Sequence, residues 1–442
     1  MTTSRADRPA GAGGRPHLAY IAWGYPPARG SGVHRAVGTT NAFVNAGWRV
    51  SVVTADRESF FKYTGADPSM EESIDRRIRL VRVPYVRRYL EDDMATWPRA
   101  RVALPYPWLA LETWREQVAF PEDRYGFWYV PLARAVKELH REDPIDLAIG
   151  TANPNVDLAG AAVLPDVPYV MDYRDAWQLN TFTGERATKP GGRADRWERK
   201  LMAGAQEIWF VNAPILRWHA ELHPENAHKM LEVPNGADLG ITLSQSPNPG
   251  GVVRFTYVGT ITSVVPVRQL ADGWRIAHER GDLEDSVGTL YGHVGFFNRQ
   301  EAPEHENLDY LLRTSSLTYG GPLPKDRVGP TYRDSDVLIL AMGGGEYITS
   351  GKTYEYMTTG LPIVSVHEPE AAASEILRDY PLWFPAKSLR PEDVADALAH
   401  AAVAARTRDR DLYEAAARYG TGFHREEILR PHIERLRELV RR

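Results

Sequence analysis

The chain has 442 residues, 43% hydrophobic and 25% charged, with a formal net charge of -5 and no Cys. At roughly 150 residues per domain that length accommodates two or three domains, each able to bury a core. The acidic balance argues against a dedicated nucleic-acid binder, and the lack of Cys excludes disulfide scaffolds, thiolate metal sites and cysteine nucleophiles. No apolar run reaches the roughly 18 residues a spanning helix needs. Residues 1–15 carry no apolar segment after their charges. They read as a disordered leader rather than a secretory signal, and a cytoplasmic location is the expectation.

From residue 16 strands and helices alternate. HLAYIAW (17–23) and WRVSVVT (48–54) read as buried strands, joined by the loop GYPPARGSG and a helix over Val33–Asn45. Strand, loop, helix, strand within about forty residues is one βαβ unit. Further strands are expected at Arg79–Val83, Ile145–Gly150, Tyr169–Asp172 and Ile208–Asn212, with helices over Tyr129–His140 and near Asp195–Ala205. Residues 84–128 break the pattern. They hold Trp97, Trp108, Trp114 and Trp128 among several prolines, too many for one long helix, and read as an aromatic insertion or lid. Stretch 233–251, VPNGADLGITLSQSPNPGG, has the composition of an interdomain hinge.

A second alternating block follows. Strands are expected at VVRFTYVG, GTLYGHV, SLTYGG, DVLIL and LPIVSV, with helices at Val267–Glu279, Glu306–Arg313, Lys325–Arg333 and Lys352–Thr359. The fold class is therefore α/β, with two Rossmann-like doubly wound domains facing a cleft: 16–238 and 250–415, with 416–442 a C-terminal helix packing back on the first. Ligands of such sheets sit at the carboxyl ends of the strands.

Four segments lie at such ends. The first is GGGEYITSGKTYEYMTTG (343–360), where Gly344, Gly345 and Glu346 precede a helix opened by Ser350, Lys352 and Thr353, with Glu355 one turn on. A helix start offers free N–H groups and a positive dipole end to a phosphate. The same residues equally suit a capped Gly-rich turn. The second is the loop with Gly30 and Gly32, which lacks the third glycine of a G-x-G-x-x-G and fits a tight βα turn as well as a ligand contact. In the third, Gly259 and Thr260 end a strand and Arg268 lies early in the next helix, within reach of a phosphate or simply solvated. The fourth, VMDYRDAW, clusters Asp172, Arg174 and Asp175, able to orient acceptor hydroxyls or to pair among themselves. No His spacing suits a metal, and no G-x-S-x-G elbow supports a serine hydrolase.

On these residues the chain resembles a GT-B glycosyltransferase, and more closely the retaining family 4 group. AWGYPPARGSGVHRA is similar to that group's glycine loop, VPNGAD to its Asn-Gly-x-Asp hinge, and FTYVGTI to the opening of its C-terminal domain. SLTYGGPLPKDRVGPTYRDSDVLIL resembles the stretch that ends in the group's donor domain, and SGKTYEYMTTGLPIV and DYRDAW resemble segments of a bacterial branch that adds N-acetylamino or deoxy sugars. The resemblance implies that Glu355 holds the ribose of a nucleotide diphosphate sugar. Lys352 and the N–H groups after Gly351 would hold the diphosphate, with Gly343–Gly345 and Glu346 along the sugar. Gly30 and Gly32 would approach the β-phosphate or sugar, and Gly320–Leu323 would flank the base. Ser350, Thr353, Gly259, Thr260 and Arg268 complete the expected donor set; Asn153, Asp172, Arg174 and Asp175 form the acceptor set. The sequence departs from the group's pattern at Thr260, at Arg268 and at Tyr347, where Glu346 stands beside the expected Glu position. Asn153 and Asn155 stand where a His is usual.

The implied activity is transfer of a sugar, with retention, to an O, N or S atom of a small acceptor in bacterial specialised-metabolite or glycoconjugate biosynthesis. It would need no cofactor and no metal. Lys352, Arg268 and Asp172 are the catalytic candidates, with no base assigned. A nucleotide-sugar epimerase and a non-catalytic nucleotide-sugar-binding paralogue are the competing readings. Peripheral membrane contact through the aromatic insertion is weighed and not favoured, and a homodimer is compatible with the sequence.

Overall fold

The computed structural model describes residues 14–86, 91, 93–238, 251–295 and 303–441. The expected leader lies outside these except for Gly14 and Arg15, as does most of the hinge. The chain forms two compact units. Unit 1 comprises 1–180, 185–234 and 429–442; unit 2 comprises 181–184 and 235–428.

Unit 1 holds seven strands: β1 (His17–Ile21), β2 (Arg49–Ala55), β3 (Arg79–Val83), β4 (Leu147–Thr151), β5 (Tyr169–Tyr173), β6 (Glu207–Phe210) and β7 (Met230–Glu232). All pair in parallel in the order β3-β2-β1-β4-β5-β6-β7. Strands β1, β4 and β5 are buried along their whole length, which is why they read as continuous apolar runs. Helix Tyr129–Glu142 covers the sheet with Leu132, Val136 and Leu139, spaced to share one face.

Unit 2 holds β8 (Val253–Val258), β9 (Ser286–Tyr291), β10 (Thr318–Gly321), β11 (Val337–Ala341), β12 (Ile363–Val366) and β13 (Trp383–Pro385), in the order β10-β9-β8-β11-β12-β13. Side chains alternate across this sheet. Phe255, Ile339 and Val364 meet Leu270, Trp274 and Leu398 on one face. Val258, Leu338, Leu340 and Ile363 meet Tyr354, Met357 and Tyr413 on the other.

Three sequence expectations are corrected here. The insertion does contain a long helix, Pro105–Ala119. Pro105 and Pro107 fall in its first turn, where a missing N–H removes no helical hydrogen bond. Trp128, counted with the insertion's aromatics, is a core residue only 1% exposed. The tail is two helices, Arg410–Thr421 and Arg425–Arg441, separated at Gly422. Its last part belongs to unit 1, where Arg435 pairs with Glu207 at 2.5 Å and Arg437 donates to the Ala46 carbonyl.

Candidate functional site

In unit 1 the polar residues gather past the ends of β1, β4 and β5, but they divide into two groups. Asp172 is fully buried and held by Arg35, whose Nη2 lies 2.6 Å from Oδ1 and whose Nε lies 3.1 and 3.0 Å from the two oxygens. Arg35 is itself buried and donates from Nη1 to the Pro234 carbonyl at 3.1 Å. The Tyr20 hydroxyl donates to Asp172 at 3.5 Å, and burial, helped by that carboxylate, raises the phenol's pKa. Asp172 is therefore a core anchor and not the acceptor contact expected from sequence. A guanidinium from helix Ser31–Asn45 neutralises it.

Arg174 takes the other position. Its guanidinium packs against Gly32, where a Cβ would sit 2.3 Å from Nη1 and the flexible arginine would have to shift. Arg174 Nη2 donates to Asp175 Oδ2 at 2.6 Å, and Asn153 Nδ2 donates to the same oxygen at 2.8 Å. Gly30, with φ of 149°, leads into this helix start. The structure thus brings Gly32, Asn153, Arg174 and Asp175 together at one strand-end cluster. The loop beyond is fixed from below. Trp177 stacks on Phe120, and buried Glu198 accepts from Tyr173 at 2.7 Å and from Gln178.

Sequence reasoning missed Glu122. Its Oε1 accepts from the Asn155 backbone N–H at 2.7 Å and side-chain amide at 2.9 Å; its Oε2 accepts from the Val156 N–H at 2.8 Å. It caps helix Val156–Ala161, which begins three residues beyond Asn153. Loss of hydration raises its pKa to about 7, only partly opposed by those three donors, with Glu116 adding repulsion. Asp157 lies beside it, also raised by burial. A carboxyl whose folded pKa exceeds its unfolded value binds more protons when folded. Its stabilising contribution is complete below about pH 4.5 and is lost as pH rises through about 7. Glu122→Gln is expected to flatten the fall in melting temperature between pH 5 and 8, a change of about 2 kcal/mol. Melting curves across that range check this; an unchanged slope rules out Glu122 as the titrating group.

In unit 2 the expected donor segment forms a tight cluster. Ser350 caps helix Gly351–Thr359, its Oγ accepting from the Lys352 N–H at 3.2 Å. Lys352 Nζ lies 2.6 Å from Glu355 Oε2 and 3.2 Å from the Tyr332 hydroxyl, which donates to the same carboxylate at 3.1 Å. Tyr332, missed from sequence, is fully buried at the end of helix Lys325–Arg333; its phenol is raised chiefly by burial. Its spacing from Val328 on the inward face of that helix was the available signal. Lys352 and Glu355 remain about one quarter exposed, at 27% and 26%. Such a partly exposed i,i+3 pair is worth under about 1 kcal/mol, so an incoming ligand opens it at little cost.

The glycines beside it differ in purpose. Gly343 is forced by the chain: a Cβ would meet the Val264 carbonyl oxygen at 1.9 Å. Gly344 has φ of 115°, whereas Gly345 and Gly351 border open space. Glu346 and Thr260 are exposed, and Gly259 precedes the latter at the end of β8. Gly320 lies flat against the Tyr291 ring, and Tyr291 and Leu323 line a hollow of about 300 Å³.

Two expected donor residues do not join the cluster. Thr353 is completely buried, with its hydroxyl lacking a partner among the described residues. Arg268 donates to Asn307 at 2.7 Å and lies over the Tyr310 ring at 4.7 Å. It staples two neighbouring helices instead of extending toward the Lys352 turn. Among the described residues no group of three or more His, Asp or Glu is placed to hold a metal ion.

No family model and no curated protein matches the chain. Solved structures do. A glycosyltransferase from Rickettsia africae ESF-5 superposes with a TM-score of 0.66 at 12% identity, covering 96% of this chain and 99% of that one. Anabaena HepE in complex with UDP-glucose gives 0.57 at 12%, covering 95% and 99%. A UDP-N-acetylglucosamine 2-epimerase gives 0.51 at 11%, covering 96% and 96%. The chain has the fold these proteins share, the two Rossmann-like units of the GT-B architecture.

Proposed function

We propose that the chain transfers a sugar from a nucleotide diphosphate sugar to a small acceptor, with retention at the anomeric carbon. The observation that carries this reading is the Lys352–Glu355–Tyr332 cluster at the start of helix Gly351–Thr359, just beyond β11. A helix start with a lysine suits a diphosphate, and a carboxylate one turn on suits a ribose diol. During transfer the bond from the anomeric carbon to the diphosphate oxygen breaks, and negative charge grows on the leaving group. In this reading Lys352 and the helix start stabilise that charge. The acceptor's O, N or S atom bonds to the anomeric carbon on the face the diphosphate leaves, and its proton passes to the departing phosphate oxygen. In unit 1, Arg174, Asp175 and Asn153 are the residues we assign to acceptor contact.

The HepE complex with UDP-glucose makes UDP the first nucleotide to test. In a thermal-shift series with UDP, GDP, dTDP and ADP, one nucleotide is expected to raise the melting temperature markedly. At 100 times its Kd the gain is about 2.7 kcal/mol. No shift with any of the four at millimolar concentration would overturn the reading. Interconversion of UDP-N-acetylglucosamine without an acceptor would assign the chain to epimerisation instead.

A further inference from the structure

The turn that follows helix Pro105–Ala119 is fixed at almost every residue. Glu122 spends both carboxylate oxygens on the loop after β4, accepting from Asn155 and Val156. Asp123 accepts from Gln117 Nε2 at 2.6 Å. The Arg124 carbonyl accepts from the Tyr85 hydroxyl at 2.5 Å. Tyr125 stacks on Tyr85 and meets the Trp23 ring edge-on, with ring centres 5.7 and 5.1 Å away. A Cβ on Gly126 would sit 2.4 Å from the Phe120 carbonyl oxygen, so no larger residue fits there. One side chain of the turn is left over. Arg124 is exposed, and its guanidinium makes no hydrogen bond, ion pair or ring contact among the described residues.

The same arginine has a φ of 75°. Left-handed backbone is unfavourable for a bulky side chain. It persists where the surroundings over-determine it, and such residues cluster at functional sites. Among the described residues only three non-glycines have positive φ: Arg124, Asn153 and Arg408. Arg408 ends helix Pro391–Thr407, an ordinary place for this conformation. Arg124 ends no helix. It lies two residues after Glu122, and Asn153, with φ of 66°, lies two residues before the Asn155 that Glu122 holds. The turn touches the chain just past β1 at Trp23, past β3 at Tyr85 and past β4 at Asn155. That is the end of a parallel sheet at which ligands sit. One carboxylate thus braces two left-handed loops, and each carries an exposed polar side chain. The Asn153 amide meets Asp175, whereas the Arg124 guanidinium meets nothing.

We propose that Arg124 binds an anionic group, a carboxylate or a phosphate, on the small acceptor, and so determines which acceptors unit 1 selects. The acceptor role rests on the sugar-transfer reading; the anion site does not. A guanidinium suits either group because its N–H fork donates two parallel hydrogen bonds to two oxygens. The carboxylates around the turn are already engaged and do not neutralise it. Glu122 and Asp123 are held as described, Asp157 accepts from the Trp23 N–H at 2.6 Å, and Asp175 is shared by Arg174 and Asn153. The role also accounts for the strained backbone. A glycine would form the same turn without conformational cost but would carry no charge. The bracing by Glu122, Tyr85 and Gly126 fixes the arginine's backbone before any ligand arrives, which lowers the cost of binding.

The test is calorimetric titration of the full chain with glucose, glucuronate and glucose 6-phosphate as probes, without nucleotide. An anionic probe is expected to bind about 10-fold or more tightly than glucose, the gain of a charge-assisted pair of hydrogen bonds. Which of the two binds better tells carboxylate from phosphate. Arg124→Gln should erase the difference. Arg124→Gly should erase it too and raise the melting temperature by about 2 °C, because glycine accepts the left-handed backbone. Equal binding of the three probes by the wild-type chain, binding of none, or a preference that survives Arg124→Gln would each overturn the proposal. So would an Arg124→Gly chain that melts earlier than wild type, since the arginine would then be kept for stability. A chain that shows the Arg124-dependent preference but is stabilised by no nucleotide would retain the anion site and lose the sugar-transfer reading.

Discussion

Asp172→Ala is expected to destabilise unit 1 by about 3–5 kcal/mol, because it strands the Arg35 guanidinium in the core. Arg35 is 3% exposed and Asp172 0%, and three of their nitrogen–oxygen distances lie between 2.6 and 3.1 Å. Asp172→Asn keeps the shape and removes the charge, so it should also destabilise the unit, though less. Replacing both partners with apolar residues of similar volume should recover much of the loss, since a buried pair is costly to break but not costly to replace. Calorimetry of the full chain reads the effect as an early transition with unit 2 still folded. The competing outcome is a wild-type melting curve with weakened acceptor use. That result would restore Asp172 to the acceptor site and remove the role of Arg35.

This contrast shows where the sequence was informative. Strands β4, β5 and β11 are buried on both faces, so their apolar runs were visible without any partner. Strands β7 and β13 are three-residue edges and carry no such signal. The helix start at Ser350 was legible because cap, lysine and glutamate lie within six consecutive residues. What was not legible is long-range pairing. Asp172 meets Arg35 across 137 residues, and Tyr332 reaches Lys352 across 20. Arg268 was placed near a phosphate by its position after β8, but Asn307, 39 residues on, holds it elsewhere. Local spacing identifies which residues carry charge; only the tertiary fold says which of those charges are already satisfied.

Lys352→Ala is expected to lower the transfer rate constant by about 10²–10³-fold, the usual loss when one donor to a developing negative charge is removed. Two effects act together. On the proposed transfer, the leaving diphosphate would lose the ammonium, and Glu355, relieved of its 2.6 Å partner, would present an uncompensated carboxylate to the same ligand. Glu355→Ala should instead weaken nucleotide binding, by about 10–100-fold if two hydrogen bonds to a ribose are lost, with a smaller change in rate constant. Tyr332→Phe separates positioning from contact. It removes only the hydroxyl that accepts from Lys352 at 3.2 Å and donates to Glu355 at 3.1 Å, so its effect should be smaller than either. Because the three groups share hydrogen bonds, the Lys352→Ala, Glu355→Ala double variant should lose less than the sum of the single losses. Steady-state kinetics with the nucleotide sugar identified by thermal shift distinguish these cases. A Lys352→Ala enzyme with wild-type kcat would show that the diphosphate's charge is met elsewhere, and the cluster would then be a capped turn of unit 2 with no part in transfer.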